Sequence, residues 1–187
     1  MNEQNRKVGK GKLLIAEPLM GDANFDRTVI FLTDHNKEGS VGFIVNRLLD
    51  ISLDDLVLDF PSFNSQINDG GPVQQDNLFF LHSKGSLLSG SEEIIPGIYW
   101  GGDYNMLKEL ITLELIGAND IRFFMGYSGW SAGQLETEMD QNAWQVGPAS
   151  ADLIFNKNPK TIWPKVISSL GGEYPLWQNS PTDPSLN

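Results

Sequence analysis

Apolar positions along this chain fall into short β-branched or aromatic runs and into longer stretches with helical spacing. LLIA at 13–16, RTVIFLT at 27–33 and SVGFIVN at 40–46 are bounded by Gly, Pro, Asn and Asp, and predict strands. HNKEG at 35–39 predicts a hairpin loop that holds His35 and uses Gly39 at positive φ. LFFLHS at 78–83 and EEIIPGIYWGG at 92–102 predict two more strands. The second is interrupted at Pro96, whose missing amide donor implies a bulge or a sheet edge. IRFFMGY at 121–127 is the most strongly apolar run and predicts a central strand.

Helical signals lie between these runs. SLDDLVLDF at 52–60 predicts a short helix with Ser52 as N-cap and Asp55 at the capping-box position, its carboxylates where the helix dipole favours them. Asp103 is the expected cap of a second helix running to about Ile116. Met106, Leu107, Leu110, Ile111 and Leu115 form its apolar side, and Gly117 would end it. Ser131 and Gln134 form an S-x-x-Q capping box that predicts a third helix from Ala132 to about Gln141. Two shorter helices are expected near 148–155 and 163–170, the latter closed by Gly171 and Gly172. Strands and helices neither alternate strictly nor segregate, which predicts an α+β fold with a mixed sheet. No repeat, low-complexity block or interior linker interrupts the pattern. The expected organisation is a flexible basic tail at 1–12 and a single α+β domain at 13–187.

Composition narrows the chemistry. A chain of 187 residues, 40% hydrophobic and 20% charged, suits one full core better than two. No apolar run approaches the roughly 18 residues that span a bilayer, and MNEQNRKVGKGK leads into no signal-peptide hydrophobic region. A cytoplasmic protein with no membrane partner is expected. The absence of cysteine removes disulfides, thiolate nucleophiles and Cys-based metal sites, leaving His35 and His82 as the two imidazoles. Net charge is −11, but Arg6, Lys7, Lys10 and Lys12 are four of the 13 basic residues and Glu3 is one of the 24 acidic ones. From residue 13 onward nine bases therefore face 23 acids, a balance of −14. Such a field repels phosphate backbones, so direct nucleic-acid binding is not expected.

Three blocks carry a family resemblance: LLIAEPLMGDANFDRTVIFLTDHNKEGSVGFIVNR at 13–47, GGPVQQDNLFFLHS at 70–83 and GYSGWSAGQLETEMDQNAW at 126–144. In this order, over nearly the whole chain, they resemble the YqgE/AlgH family. The resemblance implies a bifurcated, mostly antiparallel sheet folded into a pseudo-barrel and flanked by helices. It implies no settled biochemical activity, only a label as transcriptional regulator that derives from the genetics of one member. Leu48 stands where the family commonly has Pro, and Ser128 where it commonly has Ala. The first departure removes a rigid turn, and the second weakens any catalytic role for Ser128.

The candidate chemistry is sparse. Ser128 in GYSGW imitates a nucleophile elbow, but G-x-S-x-G requires glycine where Trp130 stands, and a structural corner is the better reading. Trp130 and Trp144 are expected as core or interface rings. GGPV has no Lys-Ser/Thr partner and Pro72 removes a donor, so a tight turn against another strand is favoured over a phosphate cradle. Gly101 and Gly102 precede a helix start, whose donors Asp103 would occupy. The pairs Glu136 with Asp140 and Asp55 with Asp59 lack a histidine at ligand spacing, so no metal site is expected. His82 is read as a hydrogen-bonded structural residue. Arg47 follows an apolar strand and either pairs with Asp50, Asp54 or Asp69 or recognises an anion.

If a ligand pocket exists, the expected lining is Asn46, Arg47, the turn Gly70, Gly71 and Pro72, Trp130 and Gln134. The functional expectation is a binding or accessory regulatory module without catalytic residues or cofactor, its partner a protein or a small molecule. A transcriptional regulator acting directly or indirectly and an uncharacterised hydrolase are the alternatives. The lack of a basic helix face opposes the first, and the failed elbow opposes the second.

Overall fold

The computed structural model describes residues 7–18, 22, 24–156, 158–171 and 174, and within them ten strands form one branched sheet. In chain order these are β1 (Lys12–Ala16), β2 (Val29–Asn36), β3 (Gly39–Ile44), β4 (Leu48–Ser52) and β5 (Gln66–Asp69). They are followed by β6 (Val73–His82), β7 (Glu92–Ile95), β8 (Ile98–Trp100), β9 (Ile121–Ser131) and β10 (Trp144–Pro148). The helices are α1 (Leu53–Leu56), α2 (Tyr104–Thr112), α3 (Gln134–Asp140), α4 (Ala151–Ile154) and α5 (Ile162–Leu170).

The main path runs β10-β1-β2-β3-β9-β6-β8-β7, and the sheet branches at β9. One edge of β9 pairs with β6. The other edge is shared, with β5 alongside Phe123, Phe124 and Met125 and β3 alongside Ser128 to Ser131. Only the β5–β9 pairing is parallel among the described strands. This fork is the bifurcation implied by the resemblance, and the fold is α+β with a mostly antiparallel sheet. The sheet is not closed into a barrel, since β10 and β7 are its two ends.

Alternation along the strands divides the core into three parts. Leu13, Ile15, Phe31, Phe43 and Phe124 face α5, which contributes Ile162, Val166, Ile167 and Leu170. Ile67, Phe80, Ile121 and Phe123 face α2 through Leu107 and Ile111. Leu14, Ile30, Leu32 and Ile44 pack with Trp130, Trp144 and Leu135 of α3. Neighbouring residues of β9 thus serve opposite sides, as expected of a central strand.

Local signals acted where predicted. Gly39 has φ +144°, and a side chain there would meet the carbonyl of Trp130, the residue before its ladder partner Ser131 on β9. Ser52 caps α1, Asp103 caps α2 through Met106 N at 2.9 Å, and Gly171 ends α5. Element lengths differ more. α1 has four residues because Val57 is already extended, which leaves Leu58 exposed. α2 stops at Thr112 because Glu114 adopts φ +57°. Leu115 is consequently exposed, and the buried apolar residue after the helix is Ile116. The stretch at 92–102 is a hairpin, with Gly97 at φ +82° in the turn after Pro96 and β7 at the sheet end.

β4, β5 and β10 are strands without a sequence prediction. His35 lies inside β2 and not in a loop, with Nδ1 2.8 Å from Ser40 Oγ. β9 continues through Ser131, so α3 begins at Gln134 after Gly133 at φ +75°, not at Ala132. Gln134 Oε1 still accepts the Ser131 N–H at 3.0 Å, the return half of the expected capping box. At the N-terminal end, Lys10 pairs with Glu92 and Gly11 N donates to Leu32 O at 2.8 Å. Residues 1–6 of the expected tail, and Gly172, lie outside the described residues.

Candidate functional site

The residues expected to line a pocket are distributed over three places. Asn46 bridges backbone: its Oδ1 accepts from Val29 N at 2.7 Å and its Nδ2 donates to Arg27 O at 2.8 Å. Arg47 donates to Asn24 O at 2.9 Å and to Asp69 Oδ2 at 3.2 Å, so the carboxylate it pairs with is Asp69. The hollow it shares with Gly71 and Pro72 has a volume of about 20 Å³, room for a single water. Trp130 and Gln134 sit together elsewhere, around Glu138.

The turn at Gly70 and Gly71 is a close approach to β9. Gly70 N donates to Met125 O at 2.8 Å, and Gly71 N donates to Asp69 Oδ1 at 3.1 Å. A side chain at Gly71, where φ is +139°, would run into the backbone of Tyr127 and Ser128. Both amides that a phosphate cradle would use are therefore engaged within the protein.

Ser128 is fully buried in the middle of β9, opposite Gly42, and donates to Gly70 O at 3.1 Å. The elbow geometry is absent because strand, not turn, surrounds it. His82 is equally enclosed. Its Nδ1 accepts from Lys84 N at 3.2 Å, which leaves the proton on Nε2, 3.0 Å from Gly101 O and from Ser91 Oγ. Burial pushes its pKa below the ordinary 6.5, opposed by the bond to Gly101.

Trp130 is 5% exposed. Its ring lies 5.9 Å from that of Trp144 in a T-shaped pair, and Phe25 stacks on it at 6.2 Å. Beside its strand is an open hollow of about 410 Å³ bordered by Tyr127, Asp34 and Glu38. Among the described residues no three His, Asp or Glu side chains are grouped so as to hold a metal ion.

Arg122 is the functional candidate that sequence reasoning missed. It lies on β9 and is only 8% exposed. Nη1 donates to Ile154 O at 2.7 Å, and Nη2 donates to Val45 O at 2.9 Å and to Asn68 Oδ1. Asn68 is itself held by Nδ2 donating to Phe123 O at 2.8 Å, and the guanidinium carbon stands 5.5 Å from the Phe124 ring centre. These partners are all uncharged, and no ion pair forms at Arg122 among the described residues. Burial lowers its pKa to about 10, so the group is still protonated at neutral pH.

Next to this guanidinium opens a cleft of about 470 Å³. Asn64, Ser65, Gln66, Asn68 and Asn156 supply its polar surface. Leu48, Ile121, Phe155 and Pro159 supply its apolar wall. A volume above 300 Å³ is within the range of small-molecule sites, roughly 300 to 1,000 Å³. The one signal in the sequence was a lone Arg within the apolar run IRFFM, and its enclosure depends on Val45, β5 and α4, which are remote in sequence.

Comparison with known proteins places this architecture. A family model described as AlgH-like matches residues 13–175. The chain belongs to the AlgH-like family. Related UPF0301 proteins include one from Pelodictyon phaeoclathratiforme, 44% identical over 181 residues covering 97% of each chain. Another, from Chlorobium phaeobacteroides, is 42% identical over 187 residues covering 100% of both. Among solved structures, the AlgH protein from Pseudomonas aeruginosa is 30% identical with a TM-score of 0.74, covering 97% of this chain and 98% of that one. A protein from Corynebacterium diphtheriae shares the fold at a TM-score of 0.78 and 20% identity, covering 95% of this chain and 94% of that one.

None of these descriptions assigns a reaction. Among its described residues no helix is long and apolar enough to cross a membrane.

Proposed function

We propose that this AlgH-like protein is a cytoplasmic, non-enzymatic binding module, one folded unit from residue 13 onward, whose ligand enters the cleft over Arg122. One observation carries the reading: a protonated, buried guanidinium borders the cleft, and among the described residues it has no carboxylate partner. A buried charge is costly unless compensated, and carboxylates are abundant in a chain with 24 acidic residues. Arg47 takes one of them, whereas Arg122 relies on carbonyl and amide oxygens, which leaves its net charge available to an anionic ligand. The hollow at Arg47, Gly71 and Pro72 is too small for that role. A regulatory role would then run through the ligand or a protein partner, and not through contact with DNA.

The test is a ¹H–¹⁵N correlation spectrum of the whole protein recorded against a library of small metabolites and fragments. Shifts gathered at Gln66, Asn68, Ala118 and Asn156 are expected. Shifts confined to the hollow between Asp34 and Ser131, or turnover of a library member, would overturn the reading.

A further inference from the structure

We propose that the cleft over Arg122 takes a compact organic monocarboxylate that also carries uncharged amide- or hydroxyl-type groups, an inference that rests on the assignment of this cleft as the ligand site. The charge inventory comes first. Among the described residues, Arg122 is the only ionisable side chain in the lining. One negative charge on the ligand balances it. A phosphate monoester or polyphosphate would bring further negative charge into a protein whose net charge is already −11, and among the described residues of the lining there is no lysine, second arginine or metal-holding cluster to offset it.

The donor inventory agrees. A guanidinium has five N–H groups, and three are taken by Ile154 O, Val45 O and Asn68 Oδ1. The remaining two have no acceptor among the described residues, and a carboxylate is the acceptor that Arg favours. The three existing bonds also fix the group between β9, β5, α4 and Val45 just past β3, so little ordering is required when the ligand arrives.

The rest of the lining sets the body of the ligand. Asn64 and Gln66 are exposed at the rim, and their side-chain amides form no hydrogen bond to the described residues. Each offers both donors and an acceptor, the complement of an amide or hydroxyl. Opposite them, Leu48, Phe155 and Pro159 offer an apolar wall. A short acylated amino acid has this combination of one carboxylate, one amide and one apolar group.

The experiment is a ¹H–¹⁵N titration of the full chain with N-acetylleucine, with its uncharged counterpart N-acetylleucinamide, and with inorganic phosphate. N-Acetylleucine is expected to shift Gln66, Asn68 and Asn156, and the amide to bind about tenfold more weakly or worse, the loss expected when a charge-assisted contact is removed. Gln66→Glu puts a negative charge on the exposed rim and should weaken N-acetylleucine about three- to tenfold, with the difference shrinking as salt is raised. This variant leaves the Arg122 contacts intact, and an unchanged spectrum away from the cleft verifies its fold. Arg122→Gln, if folded, should bind acid and amide alike.

Equal affinity for acid and amide in the wild type, or no effect of Gln66→Glu, overturns the monocarboxylate inference. So does the absence of cleft shifts with N-acetylleucine. If inorganic phosphate alone shifts the cleft residues, the ligand class is wrong while the assignment of the cleft stands. If the metabolite library also leaves the cleft silent, both fail.

Discussion

Trp130 and Trp144 donate their indole N–H groups to the same atom, Oε2 of Glu138, each at 2.8 Å. The two rings belong to β9 and β10, on either side of α3, and one carboxylate on that helix joins them. Gln134 Nε2 holds the other oxygen of Glu138 at 3.0 Å. The helix is thereby fixed to the sheet through polar as well as apolar contacts.

This arrangement predicts a ranking of stabilities. Trp130→Ala removes a nearly buried ring and should cost about 3 to 5 kcal/mol. Glu138→Ala strands two indole donors at a cost of about 2 to 4 kcal/mol, and Glu138→Gln, which keeps an acceptor, should cost about 1 kcal/mol. Denaturant unfolding of the three variants gives the order directly. A loss below about 1 kcal/mol for Trp130→Ala, typical of a surface change, would remove the ring from the core.

His82 predicts an acid-sensitive component of stability. Its pKa in the fold lies below the ordinary 6.5 because burial disfavours the charged ring. The unfolded chain therefore binds the proton more readily, and the stability linked to this group is complete above about pH 6.5 and declines as pH falls below it. In His82→Gln the decline due to the imidazole should vanish while that due to carboxylates remains. Unfolding midpoints of both proteins at pH 7.5 and pH 5 check this, and parallel losses in the two would refute the assignment.

Ser128→Ala should be nearly silent. The lost hydroxyl donates to Gly70 O, but that carbonyl also accepts from Ile44 N at 3.1 Å and keeps a partner. The expected cost is about 1 kcal/mol or less, with no change in the cleft resonances. A fluorophosphonate probe should label neither protein, and labelling that depends on Ser128 would reinstate the hydrolase.

Duplex DNA should not be bound selectively. Beyond residue 12 the charge balance is −14, and any attachment through the basic N-terminal residues should be screened at about 0.15 M salt. Mobility shift with genomic and random fragments is the measurement. Sequence-selective complexes that persist at that ionic strength would contradict the reading.

Sequence alone determined the features whose causes are local. The caps at Ser52 and Asp103, the turn at Gly39 and the end of α5 at Gly171 follow from side chains or φ preferences within a few residues, so they could be read directly. The apolar run at 121–127 marked the central strand, and three ordered blocks marked the family and its forked sheet. The missed strands had weaker signals. β4 is partly exposed along its length and β5 has two polar ends, so both depend on ladder partners, while in β10 the alternation of Trp144 and Val146 lasts only three residues before Gly147 and Pro148, residue types that read as a break and a helix start.

Only the tertiary structure decided what the polar residues do. Nothing near Arg47 in the chain distinguishes Asp69 from Asp50 or Asp54, and fold geometry selects Asp69. Likewise, Arg122 is two residues from Phe124 in an apolar strand, yet its partners come from Val45, Asn68 and Ile154. Hydrogen bonding and desolvation depend on distances of a few ångströms between segments far apart in sequence. Capping and strand periodicity depend on neighbours along the chain, which is why the scaffold was legible and the charged cleft was not.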